Sequence, residues 1–378
     1  MIDLVNLRDY KLIFERRAIM KNAIITWYVF MVSFVIYTPS TSMSLPQNET
    51  LEAVADALVE HQNNNDQFPY FIGSWPGEYH YTGSLMAGLI NAYEITNKEI
   101  YKEASELAAV FILLSSEGNF YGDEAYAIAR LGEVTGEQGY TNIVRSFYDM
   151  LDTHSYISGF NETHPEKATF YISFHAVASH MVGAEDAGVW REAIIHYLSQ
   201  VDDDISYFPV MTLGVATWAL VQTGPMDDTR IDPFSSTGVD YWEGVILSDL
   251  PDLLSTHQVL SGEYAGSFYV RFDHTAPGPG YFESGYTADT VYGLLGLIAA
   301  NDVNDINDIG EQEVNNLEET TIMSWDFNEE IQNARDILPK SVHQSGLVQE
   351  HIWEGTQIYY LYGGELLETF SKKENITE

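Results

Sequence analysis

The chain has 378 residues, enough for one large domain or two small ones. Its 17 Lys+Arg against 56 Asp+Glu leave a net charge of −39, which excludes nucleic acid as a partner because phosphates need a basic footprint. A hydrophobic content of 45% is too high for a disordered acidic tail, and the lack of cysteine excludes disulfides and thiolate metal sites.

The acidic, lysine-poor composition suits a saline medium in which salt screens self-repulsion; a surface that collects cations is the alternative. In chain order, residues 1–44 read as an export signal. Arg16, Arg17 and Lys21 precede an uncharged apolar run, Ala23 to Tyr37, and a small polar stretch follows. The run is short for a membrane span. Arg16-Arg17-Ala18-Ile19-Met20-Lys21 resembles the twin-arginine export motif; an ordinary signal starting at Met20 and a retained anchor are the alternatives. All three put residues 45–378 outside the cytoplasm as a single domain, with the export segment as its only membrane contact. Asn-x-Ser/Thr sequons at Asn48, Asn161 and Asn375 are compatible with an exterior surface.

From residue 48 the pattern is helical, with short breaks. Helices are expected at Leu51–Glu60, Gly83–Thr96, Glu99–Ser115, from Gly122 to Val134, at Gln138–Asp152, Thr169–Met181, Trp190–Leu198, Pro209–Gln222, Tyr241–Leu254, Tyr286–Ala300, Asn328–Leu338 and Gln349–Leu367. Tyr264, Phe268, Tyr269, Val270 and Phe272 suggest a small β-hairpin within 258–281. Asp302–Asn316 reads as an acidic loop. The even-numbered helices of this series, with stretches such as LMAGLINAY and VMTLGVATWALV, are the more apolar, so they should be buried on most faces. Twelve helices alternating this way make six hairpins, an inner ring wrapped by an outer one.

That alternation resembles the all-α (α/α)6 toroid of six-hairpin glycosidases, several polysaccharide lyases, and the terpenoid cyclase and prenyltransferase group. Leu58-Val59-Glu60-His61-Gln62 with Gly73-Ser74-Trp75 is similar to the Gln-Trp repeat of terpenoid cyclases. The resemblance implies a carbohydrate-active enzyme, a polysaccharide lyase or a glycoside hydrolase. A non-catalytic glycan- or peptide-binding protein is the alternative, and a terpenoid cyclase-like protein the third reading.

In such a ring the loops that lead into the inner helices gather at one mouth. Glu78-x-x-Tyr81-Thr82 recurs as Glu283-x-x-Tyr286-Thr287, each opening an apolar helix. Hydrolysis of a glycoside needs one protonated and one ionised carboxyl, and Asp123, Glu283 and Asp289 are the candidates. Acids at helix starts also serve as caps and complement the macrodipole. A lyase would instead use a cation and a base, for which His274 and Tyr281 beside Arg271 and Asp273 are candidates. Trp75, Glu78, Tyr79, His80, Tyr81, Arg271, Tyr286 and Trp353 are the candidate contacts to a poly- or oligosaccharide, since sugar faces stack on aromatic rings. No cofactor is expected. Within the acidic loop, Asp302 to Asp308 carries oxygen ligands of the kind that hold calcium; a solvated loop is the alternative. Asp202-Asp203-Asp204 reads as an acidic helix start, and His175 and His180 as satisfied core histidines.

Overall fold

The computed structural model describes residues 47–64, 71–161, 163–231, 240–274, 286–310, 325–350, 358–359 and 361–370. All belong to one compact unit, Ser42–Glu378. Residues 1–44, expected to be an export signal, and Tyr281, Glu283, Trp353 and Asn375 lie outside the described residues. Among those described, no helix is long and apolar enough to cross a membrane.

The helices are α1 (Gln47–His61), α2 (Thr82–Thr96), α3 (Glu99–Ser116), α4 (Gly122–Thr135), α5 (Gln138–Met150), α6 (Thr153–Ser158), α7 (Pro165–Met181), α8 (Ala187–Leu198), α9 (Pro209–Thr223), α10 (Leu250–Ser255), α11 (Thr287–Gly310), α12 (Asn328–Ile337) and α13 (Leu361–Leu367). Helix α2 packs on α4, α4 on α7, α7 on α9, α9 on α11, α11 on α13, and α13 back on α2. This closed ring is wrapped by α1, α3, α5, α8, α10 and α12, each against an inner helix. The (α/α)6 toroid expected from the alternation is the fold that forms, with α6 as a short addition.

Local chemistry explains the individual helices. Helix α9 starts on Pro209, whose fixed φ suits a first turn, and is buried on nearly every side from Val210 to Val221. Helix α2 stops at Asn97, which adopts a left-handed conformation and donates its N–H to the Tyr93 carbonyl.

Adjacent inner helices are tied start to start. The Ser84 N–H, in the first turn of α2, donates to Asp123 in the first turn of α4. The N–H groups of Tyr207 and Phe208, just before α9, donate to Glu166 at the start of α7. The Met211 N–H donates to Asp289 in the first turn of α11. The inner helices therefore run parallel, with their amino-terminal ends at one mouth. The far end is tied in the same way, by Asn91 to the carbonyls of Leu367 and Phe370, and by Tyr126 to Glu368.

Three expectations are corrected. Among the described residues 258–274 the expected hairpin is reduced to one isolated bridge, Gln258 with Phe268, flanked by backbone hydrogen bonds from Val259 to Ser267 and from Tyr269 to His257, and Gly266 sits at φ 96 against the Asn333 backbone. Burial does alternate from 268 to 272, with Phe268, Val270 and Phe272 buried and Tyr269 and Arg271 half-buried between them. The strands are instead β1 (Val348–Gln349) and β2 (Ile358–Tyr359), an antiparallel pair inside the stretch expected to be one long final helix. Residues 302–310 continue α11, so Asp302 to Asp308 lies on helical backbone where an acidic loop was expected.

Candidate active site

The mouth opens into a cavity of about 250 Å³. Its wall is built from four inner helices. His80, Tyr81 and Ser84 come from α2 and its approach, Tyr121 and Asp123 from α4, Phe170, Tyr171 and Phe174 from α7, and Glu365 from α13. Among the described residues the lining holds aromatics and carboxyls, with neither arginine nor lysine.

Asp123 is the best-supported group. Its Oδ2 accepts from the Ser84 N–H at 3.2 Å and from Ser84 Oγ at 3.4 Å. The contact requires glycine at position 83, where a Cβ would fall 2.6 Å from that same oxygen and 2.5 Å from the Glu124 nitrogen. Burial raises the Asp123 carboxyl to about 6, against the pull of the hydrogen bonds from Ser84. An acid held this way is ionised at neutral pH and titrates just below it.

Glu124 follows it in sequence but points elsewhere. Its Oε2 accepts the Tyr121 N–H at 3.0 Å, which satisfies a helix-start donor, and it is absent from the cavity lining. Burial, and then the charge of Asp123, raise it to about 8.

Glu365 was not legible as a site residue. It is 5% exposed on α13, with Oε1 accepting from the Tyr292 hydroxyl at 2.9 Å. Its Oε2 is buried without a hydrogen-bond partner among the described residues. Burial raises this carboxyl to about 8, opposed by the Tyr292 hydrogen bond and assisted by the charge of Glu78. Behind it lies a void of about 20 Å³ shared with Tyr126, Trp218 and Glu368, roughly one water in size. Tyr81 is 46% exposed at the rim, and its hydroxyl is raised by burial and by the nearby charges of Glu365, Glu78 and Asp123. Tyr121, 54% exposed, and Tyr171 are further rim aromatics that the sequence reading passed over.

Other sequence candidates lie elsewhere. Trp75 is fully buried and donates its indole N–H to the Leu58 carbonyl at 2.8 Å, so it anchors the core and not the rim. Tyr79 packs on Phe71 with ring centroids 5.3 Å apart, and His80, which does line the cavity, lies tilted against the Tyr79 ring. Asp289 is fully buried; one oxygen binds the Met211 N–H, and it lies outside the cavity lining. Tyr286 donates to Glu350 and leans on Phe208. Arg271 is held by Asp203 and Asp273 at 3.8 and 3.5 Å, while Asp203 also accepts the N–H groups of Phe272 and Asp273. His274 faces His257 across 3.0 Å and stacks on Tyr269. Neither Arg271 nor His274 lines the cavity. His175 is the satisfied core histidine expected, set between the hydroxyls of Tyr148 and Tyr156 and lowered to about 3 by burial. His180, by contrast, is exposed and lines a hollow of about 460 Å³ at the opposite end of the ring. There Arg130 pairs with Glu94 and Glu133.

No protein-family model matches the chain, and no curated protein matches it in sequence. Solved structures do match in fold. The GH76A alpha-1,6-mannanase from Salegentibacter sp. HEL1_6 aligns at 12% identity with a TM-score of 0.50, covering 87% of this chain and 99% of that one. An inactive variant of it with two consecutive aspartates replaced, in complex with alpha-1,6-mannotriose, aligns at 13% identity and TM-score 0.50 over 86% and 98%. A second such variant, in complex with alpha-1,6-mannotetrose, aligns at 14% identity and TM-score 0.50 over 86% and 98%. The chain therefore shares the α/α-toroid fold of this mannanase.

Proposed function

We propose that this toroid is an exported glycoside hydrolase that cleaves a neutral oligosaccharide at its mouth, with Asp123 as the carboxylate that acts at the anomeric carbon. The observation that carries the reading is the placement of Asp123: a buried acid, oriented by Ser84, at the wall of an aromatic-rimmed cavity large enough for a sugar residue. Support comes from the neighbouring mannanase, which is inactive when two consecutive aspartates are replaced; Asp123 and Glu124 are consecutive acids here.

The chemistry follows from the environment. Glycosyl transfer passes through a cation-like sugar, which an ionised carboxylate stabilises. Asp123 is ionised above about 6. Tyr81, Tyr121 and Tyr171 offer ring faces and hydroxyls to the sugar. A lining with acids and neither arginine nor lysine, on a chain of net charge −39, disfavours an anionic uronate. That argues against the lyase reading, whose arginine is held in ion pairs with Asp203 and Asp273. Release of reducing ends from a panel of neutral oligosaccharides, α-mannosides included, tests the reading. Asp123→Asn should lower the rate by roughly 10²–10⁴-fold and keep the fold; hydrolysis unchanged in that variant would end the proposal.

A further inference from the structure

We infer that Glu365 is the proton donor of this reaction, working in the same cavity as the Asp123 carboxylate. The inference rests on the glycoside-hydrolase reading above.

The backbone brings Glu365 there. Helix α13 touches the first turns of α2 without side chains between them. A Cβ on Gly364 would lie 2.8 Å from the Ser84 carbonyl and from the Leu85 Cα, and one on Gly88 would lie 2.3 Å from the Gly364 carbonyl. Ser84 is the residue that holds Asp123. The two carboxyls therefore flank one turn of α2, and both line the cavity.

The hydrogen bonds assign the proton. Oε1 accepts from Tyr292, and Oε2 has no partner among the described residues. A buried carboxylate with one unpartnered oxygen is costly, whereas a carboxylic acid keeps Oε1 as acceptor and has Oε2–H to donate to a ligand. Aromatic neighbours, with Phe174 and Trp218 around the void beneath, favour the neutral form. Glu124, the other acid close to Asp123, has an oxygen engaged by the Tyr121 N–H and does not line the cavity.

The step balances. The bond between the anomeric carbon and the glycosidic oxygen breaks, and that oxygen takes the Glu365 proton. Water adds to the anomeric carbon and gives its proton to Asp123. One water is consumed, and solvent returns the proton from Asp123 to Glu365.

The test compares Glu365→Gln, Glu124→Gln and Tyr292→Phe on an oligosaccharide and on the dinitrophenyl glycoside of the same sugar, whose leaving group needs no proton. Glu365→Gln should lose roughly 10²–10⁴-fold on the oligosaccharide and stay within about tenfold of wild type on the dinitrophenyl glycoside. Tyr292→Phe removes a donor that favours the ionised acid, so it should move the alkaline limb of the rate profile to higher pH and leave the acid limb in place. The inference is overturned if Glu365→Gln matches wild type on the oligosaccharide, if it loses equally on both substrates, or if Glu124→Gln shows the leaving-group-dependent loss instead. Should Glu365→Gln fail to fold, the alkaline limb of Tyr292→Phe decides: a shift supports the inference and an unmoved limb overturns it. A wild-type chain that cleaves nothing in the panel removes the hydrolase reading and the inference with it, whereas the Glu124→Gln result removes the inference alone.

Discussion

At the scale of single residues, the site depends on how deeply its acids are buried. Glu365 has an ordinary value of 4.5 and is raised to about 8 in the fold. Below pH 4.5 it is protonated whether the chain is folded or not, and its stabilising preference is fully present. As the pH rises towards 8 the unfolded chain has released a proton that the folded chain retains, so stability falls through that window. Glu365→Gln abolishes the effect. The variant should melt with wild type near pH 4 and be more stable above pH 8, by an amount on the order of a few kcal/mol. Equal melting temperatures at both ends of the range would contradict the assigned burial. Asp123 was legible because it stands at the start of an apolar helix after Tyr121-Gly122. Glu365 was not, because it lies inside an apolar run, Leu361 to Leu367, where the reading expected only packing. An acid in the middle of such a run was the available signal, since carboxyls are almost never buried without a partner or a purpose. Trp75 misled in the opposite direction, because an aromatic beside glycine and proline can equally belong to a rim or a core.

At the scale of the elements, helical period and apolarity were enough to show which helices line the ring. Their ends were harder to read. Asp289 and Asp123 occupy equivalent first-turn positions and each accepts a backbone N–H of the neighbouring inner helix, yet Asp289 lies outside the cavity lining. That difference depends on how neighbouring helices are staggered, and a single sequence does not encode it locally. The 258–274 stretch has strand-like composition, but its backbone pairing ends after a few bonds between 257–259 and 266–269, and tertiary contacts such as Phe268 against Gly293 hold the rest. The contact between α13 and α2 has a direct test. Gly364→Ala would place a methyl 2.8 Å from backbone atoms of α2, so the helices must separate. Roughly 1–3 kcal/mol of stability should be lost, and hydrolysis should fall further than stability because Glu365 moves with the helix. Loss of melting temperature with wild-type turnover in the surviving fold would separate the contact from the site.

At the scale of the whole molecule, the two ends of the ring differ in chemistry. The mouth has aromatics and acids, while the far end has Arg130 in ion pairs with Glu94 and Glu133. Across the whole chain the net charge of −39 predicts strong self-repulsion. The Debye length shrinks from ~30 Å at 0.01 M salt to ~3 Å at 1 M, so the melting temperature should climb over that range; a flat response would rule out salt adaptation. The central claim is narrower, that Asp123 and an acid in the same cavity hydrolyse a glycosidic bond. It is tested most directly by the pH dependence of kcat/KM for reducing-end release by wild type and by Asp123→Asn. Wild type should give a bell, rising through about 6 as Asp123 ionises and falling through about 8 as Glu365 loses its proton. Asp123→Asn should be nearly inactive, with no acid limb in its residual rate. A wild-type profile without an acid limb near 6, or an Asp123→Asn enzyme that keeps it, would contradict the account.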